Sequence, residues 1–127
     1  MIKTIYVEND VINLTRGDDG ELEIPLETDE GDEFELSEDE YLIFGVRELP
    51  IADSPVLLEI ESDPGSNIIR FRHADTANLA VGFYSAEVQL MTSDGQRQTV
   101  WPTLTGAKRT STANRRNFCL MTEVVFR

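Results

Sequence analysis

The residues best suited to nucleophilic catalysis are one cysteine, Cys119, and one histidine, His73. A thiol becomes a nucleophile when a base stands beside it, and an imidazole is the usual base. Both residues fall within or at the ends of strand-like patterns, which favours a packed thiol and a strand-end histidine. We therefore expect no catalytic residue and no enzymatic activity.

Carboxylates are abundant enough to suggest acid–base catalysis or calcium binding. The chain has 24 acidic residues, so a pair that could serve as acid and base arises from abundance alone. Asp18–Glu21 and Asp29–Glu33 could supply oxygen ligands, but neither has the spacing of an EF-hand loop. Arg16-Gly17-Asp18 matches a tripeptide that some cell-surface receptors read, although a glycine turn between charged residues also produces it. We interpret the two acidic runs as solvated turns and the tripeptide as a glycine turn. We expect no metal and no cofactor.

The charge is strongly negative and unevenly distributed. Residues 1–61 carry 19 acidic and 3 basic residues, whereas residues 62–127 carry 5 acidic and 8 basic ones, giving −13 overall. Such an excess of carboxylates repels phosphate backbones and argues against nucleic-acid binding. The asymmetry suggests a polar protein partner, whereas the simpler interpretation is that acidic loops keep the domain soluble.

Nothing in the sequence indicates secretion or membrane insertion. Cys119 has no second cysteine to pair with, and Met1-Ile2-Lys3 leads into alternating polar and apolar residues rather than an apolar signal segment. No stretch is long enough to cross a bilayer. We expect a protein that is cytoplasmic at synthesis, with later association with a virion as one outcome.

Apolar residues alternate with polar ones along most of the chain, which predicts strands rather than helices. Turns are expected at Asn9-Asp10, Asp63–Asn67 and Ser93–Gly95, and one helical turn at residues 74–79. The inward stripes share alternate spacing: Leu22, Ile24, Leu26; Leu42, Phe44, Val46; Val56, Leu58, Ile60; Ile69, Phe71; Tyr84, Ala86, Val88, Leu90; and Phe118, Leu120, Thr122, Val124, Phe126. We predict one domain over residues 1–127, an all-β, immunoglobulin-like antiparallel β-sandwich of about 7–9 strands. A closed barrel is the alternative.

Two features are candidates for binding. Residues 105–117 lack apolar anchors and form a predicted long basic loop after the strand Thr99–Leu104; its candidate partner-binding residues are Lys108, Arg109, Arg115 and Arg116. Outward-facing aromatic side chains would instead favour sugar binding. The residues considered for that role are Tyr6, Tyr41, Phe83 and Trp101.

A predicted structural corner is formed by Asp75, Leu79, Gly82 and Tyr84. The pattern Leu-x-x-Gly-x-Tyr is seen before a central strand in many immunoglobulin-like domains, where the tyrosine ring is buried and its hydroxyl bonds back to the preceding loop. Together with Ile12–Asp18, Ala52–Leu58 and Asp75-Thr76, this pattern resembles the N-terminal domain of phage baseplate upper proteins. Val88–Leu90 before Asp94-Gly95 adds to the resemblance, which covers residues 1–104.

The resemblance implies a structural role, in which the domain anchors a receptor-binding device at a phage tail tip or baseplate. It implies other baseplate or tail proteins, or further copies of the chain, as partners. Full-length receptor-binding members continue into a long C-terminal region that this sequence lacks, and the basic segment 105–117 departs from the family pattern.

Overall fold

The computed structural model describes residues 5–8, 11–28, 30–49, 53–101, 104–105, 108–109 and 117–122. Almost all regular structure in these ranges is β. The strands are β1 (Ile5–Glu8), β2 (Val11–Thr15), β3 (Gly20–Glu23), β4 (Tyr41–Arg47), β5 (Val56–Glu61), β6 (Ile68–Phe71), β7 (Gly82–Met91), β8 (Arg97–Trp101), β9 (Leu104–Thr105), β10 (Lys108–Arg109) and β11 (Phe118–Met121). One short helix, α1 (His73–Thr76), lies between β6 and β7.

Seven strands form the main sheet, in the order β1-β2-β11-β7-β4-β5, with β8 also paired to β7. A second sheet is made by β3 and β6, whose buried residues share the core of the main sheet. The predicted all-β sandwich is confirmed. In the described part of the chain β1 and β5 lie at opposite ends of the strand order, so the sheet does not close into a barrel.

The core follows the predicted alternation along most strands. Leu42, Phe44 and Val46 are buried on β4, and alternate residues of β7 from Tyr84 to Leu90 are buried opposite them. Edge-to-face contacts join the Phe44 ring to Phe71 and Phe118, with centroids 5.2 and 5.7 Å apart. These rings connect β4, β6 and β11, so both sheets contribute to one aromatic centre.

The predicted turns at Asp63–Asn67 and Ser93–Gly95 are present, and the predicted helical turn overlaps α1, whereas Asn9-Asp10 lies outside the described residues. Gly65 and Gly95 have φ values of +80° and +87°, which only glycine adopts at little cost. Gly95 N donates to Thr92 O at 3.0 Å and closes the hairpin between β7 and β8. No helix among the described residues is long and apolar enough to cross a membrane.

The pairing differs from the predicted antiparallel arrangement at one ladder. β11 runs parallel to β2 and antiparallel to β7, so it joins two strands that run in opposite directions. The connection between β2 and β11 spans most of the chain. Sequence periodicity contains no information about such distant partners.

The predicted inward stripe of β5 is correct only in part. Leu58 and Ile60 pack against the core, but Val56 is 47% exposed. The register between β4 and β5 shifts at Val46/Arg47, so Arg47 pairs with Val56 rather than with Leu57. This bulge turns the beginning of β5 away from the core.

The end of the chain also differs from prediction. The partner of β7 is Arg97–Trp101 rather than Thr99–Leu104. Within the predicted loop, β9 and β10 pair as a short antiparallel ladder, which brings Lys108 opposite Thr105. The last described strand ends at Met121; Val124 and Phe126, predicted to continue it, lie outside the described residues.

Candidate partner-binding surface

The predicted corner around Tyr84 has the expected hydrogen bonds. The Tyr84 hydroxyl donates to the carbonyl of Ala80 at 2.5 Å, and Leu79 packs against the core. Gly82 has a φ of +142°, which turns the chain into β7. Burial, and then the charge of Glu48, raises the pKa of the Tyr84 phenol, so it stays neutral and donates at physiological pH.

Asp75 has a different role in the same corner, because it closes the first turn of α1. Its Oδ2 accepts a hydrogen bond from the Arg72 backbone N–H at 2.8 Å. A carboxylate at this position satisfies a donor that the helix cannot use internally.

The turn after β2 docks onto α1. Gly17 N donates to Thr76 Oγ1 at 2.8 Å, and the Thr76 side chain is fully buried. The Nδ1 atom of His73 lies 2.7 Å from Gly17 O, and His73 N donates to Asp19 Oδ1 at 2.8 Å. Gly17 has a φ of +82°. Backbone contacts therefore hold Gly17, the central residue of the Arg-Gly-Asp tripeptide, against α1.

His73 and Cys119 lie in separate surroundings. The Nδ1 atom of His73 is engaged by the Gly17 carbonyl. Cys119 on β11 pairs with Phe83 on β7 and with Asn13 on β2, neither of which carries a base. Burial raises the pKa of the Cys119 thiol, which is the opposite of the activation that a nucleophile needs.

Asn117, which sequence reasoning did not identify, joins the strands next to this corner. Along the edge of β7 that faces away from β4, residues 82–84 pair with β11 and residues 88–91 pair with β8, so no described strand pairs with Ala86 on this edge. The Asn117 side chain fills this gap. Its Oδ1 accepts from Ala86 N at 2.6 Å and its Nδ2 donates to Ala86 O at 3.0 Å, while its backbone carbonyl accepts from Ile12 N.

We define the outer face as the face of the main sheet that carries Phe83, Ser85 and Glu87 of β7, opposite the core. Its apolar end lies where β7, β4 and β5 meet. Phe83 is 54% exposed, Val56 47% and Leu49 41%. Arg47 of β4 pairs with Ser85 on one side and with Val56 on the other, so it lies next to Val56 in the sheet.

Ser54 joins the end of β4 to Leu49. The buried Ser54 accepts a hydrogen bond from Arg47 Nη1 through its carbonyl and from Leu49 N through its hydroxyl, at 2.5 and 3.1 Å. The Arg47 side chain is thereby directed toward Ser54. These contacts tie Leu49 to Ser54, and the Leu49 side chain is exposed beside β4.

Carboxylates border the apolar end. Gly45 of β4 pairs with Glu87 of β7 and Glu59 of β5, and a side chain added at Gly45 would meet open space. Glu59 and Glu87 therefore flank a shallow gap on the outer face. Glu87 Oε1 accepts from Gln89 Nε2 at 2.9 Å, which orients this carboxylate along the sheet.

The other predicted binding residues are only partly placed. Lys108 and Arg109 lie on β10, whereas Arg115 and Arg116 lie outside the described residues. Of the aromatic residues, Phe83 is exposed, Tyr41 and Trp101 are half-buried, and the side chain of Tyr6 is not among those described. No group of three potential metal-ligating side chains occurs in the described part of the chain.

Comparison with family models, with curated proteins and with solved structures found no match for this chain.

Proposed function

We propose that this protein is a non-enzymatic assembly module that binds another protein through the apolar end of its outer face. The observation that carries this proposal is the exposure of Phe83, Val56 and Leu49 around one point of the sheet, with carboxylates at the border. Exposed apolar patches with polar rims are typical of protein-binding surfaces. A large aromatic side chain at the centre is the usual source of binding energy in such a surface.

We further propose that the assembly is a phage or prophage tail or baseplate, with tail proteins or other copies of this chain as partners. Support comes from the resemblance to baseplate upper proteins. Two of the segments that carry it, the turn at Gly17 and the corner at Thr76, are hydrogen-bonded to each other.

The test combines the purified chain with the tail and baseplate proteins encoded beside its gene and measures masses by light scattering at low and high salt. We expect a complex, and we expect Phe83→Ser to weaken it by roughly ten-fold or more, as for a central interface aromatic. Val7→Ser is the matched control, because Val7 is 51% exposed but lies on β1, at the other end of the sheet. A chain that remains monomeric and binds none of these proteins would rule the proposal out.

Sugar binding is the second candidate, and the exposed Phe83 ring favours it because sugars stack on aromatic faces. Phe83→Leu separates the two functions. Leucine preserves most of an apolar protein contact but has no ring face. Glycan-array binding that is present in the wild type and lost in Phe83→Leu would favour the sugar-binding function.

A further inference from the structure

The strand β5 ends the main sheet next to the apolar end of the outer face. Its one ladder among the described residues is with β4. Leu57, Glu59 and Glu61 are all exposed. A strand in this position presents unpaired backbone groups that can pair with another chain.

The pairing pattern shows which backbone groups these are. Ser62 N donates to Leu42 O at 2.8 Å, and residues that bond to the neighbouring antiparallel strand alternate with residues that do not. Ile60 and Leu58 therefore bond to β4. The N–H and C=O groups of Glu59 and Glu61 point the other way, toward the free edge.

A second copy of β5 is a poor partner for this edge. In a two-fold antiparallel pairing centred on Glu59, the two Glu59 carboxylates would lie directly opposite each other. Moving the register one way places Glu59 opposite Glu61. Moving it the other way brings Pro55, which has no N–H, opposite Glu61. Like charges on directly opposite residues are destabilising, so the edge disfavours pairing with itself.

We infer that the β5 edge binds an extended segment of a partner protein that carries lysine or arginine at alternate positions. The segment adds a strand to the sheet: its backbone bonds to Glu59 and Glu61, and its basic side chains face these two carboxylates on the outer face. An apolar residue at its end contacts Val56. The inference deepens the proposed function, because it names the chemistry of the partner at the same surface.

Amide hydrogen exchange tests the inference with a defined probe, a blocked peptide of about eight residues that alternates lysine and valine. Added strand pairing slows exchange at the amides of Glu59 and Glu61 by roughly ten-fold or more at saturation. Leu58 and Ile60 serve as internal controls, since their amides already bond to β4. Unchanged exchange at the Glu59 and Glu61 amides under saturating peptide contradicts the inference.

Charge reversal provides the second measurement. In Glu59→Lys/Glu61→Lys, we expect the lysine–valine peptide to bind roughly ten-fold more weakly or worse, and a glutamate–valine peptide to bind more tightly. The matched control is Glu23→Lys/Glu35→Lys, which makes the same charge change at two exposed positions outside the main sheet. An equal loss in the control would show long-range attraction only and would overturn the inference.

Two other outcomes are distinguishable. Protection of the β5 amides that grows with protein concentration in the absence of peptide would identify a second copy as the occupant and overturn the inference. If the proposed function is wrong, light scattering shows no complex with tail proteins. The peptide measurements do not depend on that complex.

Discussion

At the level of single residues, Asn117 shows how one side chain can replace a missing strand. The two Ala86 backbone groups are paired by the Asn117 amide at 2.6 and 3.0 Å, in a buried site between β8 and β11. An amide side chain has one acceptor and one donor group, as a peptide unit has. It therefore continues the β-sheet hydrogen bonding at the point where β8 ends and β11 begins.

We predict that Asn117→Leu lowers the free energy of unfolding by about 3 kcal/mol or more, because it leaves a buried N–H and a buried C=O without partners. Urea unfolding followed by circular dichroism measures the change. Asn13→Ala is the control: the Asn13 side chain donates to the nearby Val11 carbonyl at a half-buried position, and its loss should cost about 1 kcal/mol or less. Equal losses in the two variants would show that Asn117 does not have the proposed role.

At the level of elements, the contact between the β2 turn and α1 joins segments that are 59 residues apart in sequence. Thr76 is fully buried, and its Oγ1 atom accepts a hydrogen bond from Gly17 N. A helix of four residues has little stability by itself. The turn and the helix therefore stabilise each other.

The variant Thr76→Val tests this contact, because valine keeps the shape and removes the acceptor. We expect it to lower the free energy of unfolding by about 1–3 kcal/mol, the cost of leaving the Gly17 N–H unpaired in a partly buried site. Thr76→Ser keeps the hydroxyl and loses a methyl group, so the exchange rate of the Gly17 amide separates the two variants. Rapid Gly17 exchange in Thr76→Val alone is the expected result, and equal rates in both would contradict it.

Element identity was largely predictable from the sequence because side chains alternate with a fixed period of two along a strand. Leu42, Phe44 and Val46 are buried as that period predicts. The exposure of Val56 was not predictable, since it follows from the bulge that shifts Arg47 onto Val56.

The candidate surface was less predictable than the core. Phe83 was one of four aromatic residues considered, and only the fold separates it from the half-buried Trp101. The free edge of β5 depends on strand order. Strand order is set by contacts distant in sequence, which a local pattern does not contain.

At the level of the whole molecule, negative charge is concentrated in the first half of the chain, which contains 19 acidic and 3 basic residues. β4 and β5, which form much of the candidate surface, lie in that half. The charge of the surface therefore agrees with the basic partner inferred for the β5 edge. The excess negative charge also destabilises the folded state, because a compact fold brings like charges closer together than an unfolded chain does.

We predict from this repulsion that added sodium chloride stabilises the protein. Raising the salt from about 0.01 M to about 1 M shortens the screening length from about 30 Å to about 3 Å, which weakens repulsion between carboxylates more in the folded state than in the unfolded state. The midpoint of thermal unfolding should rise. In Glu23→Lys/Glu35→Lys the net charge changes from −13 to about −9, so the rise should be smaller. A midpoint that does not depend on salt, or an equal rise in both proteins, would show that charge repulsion does not limit the stability of this fold.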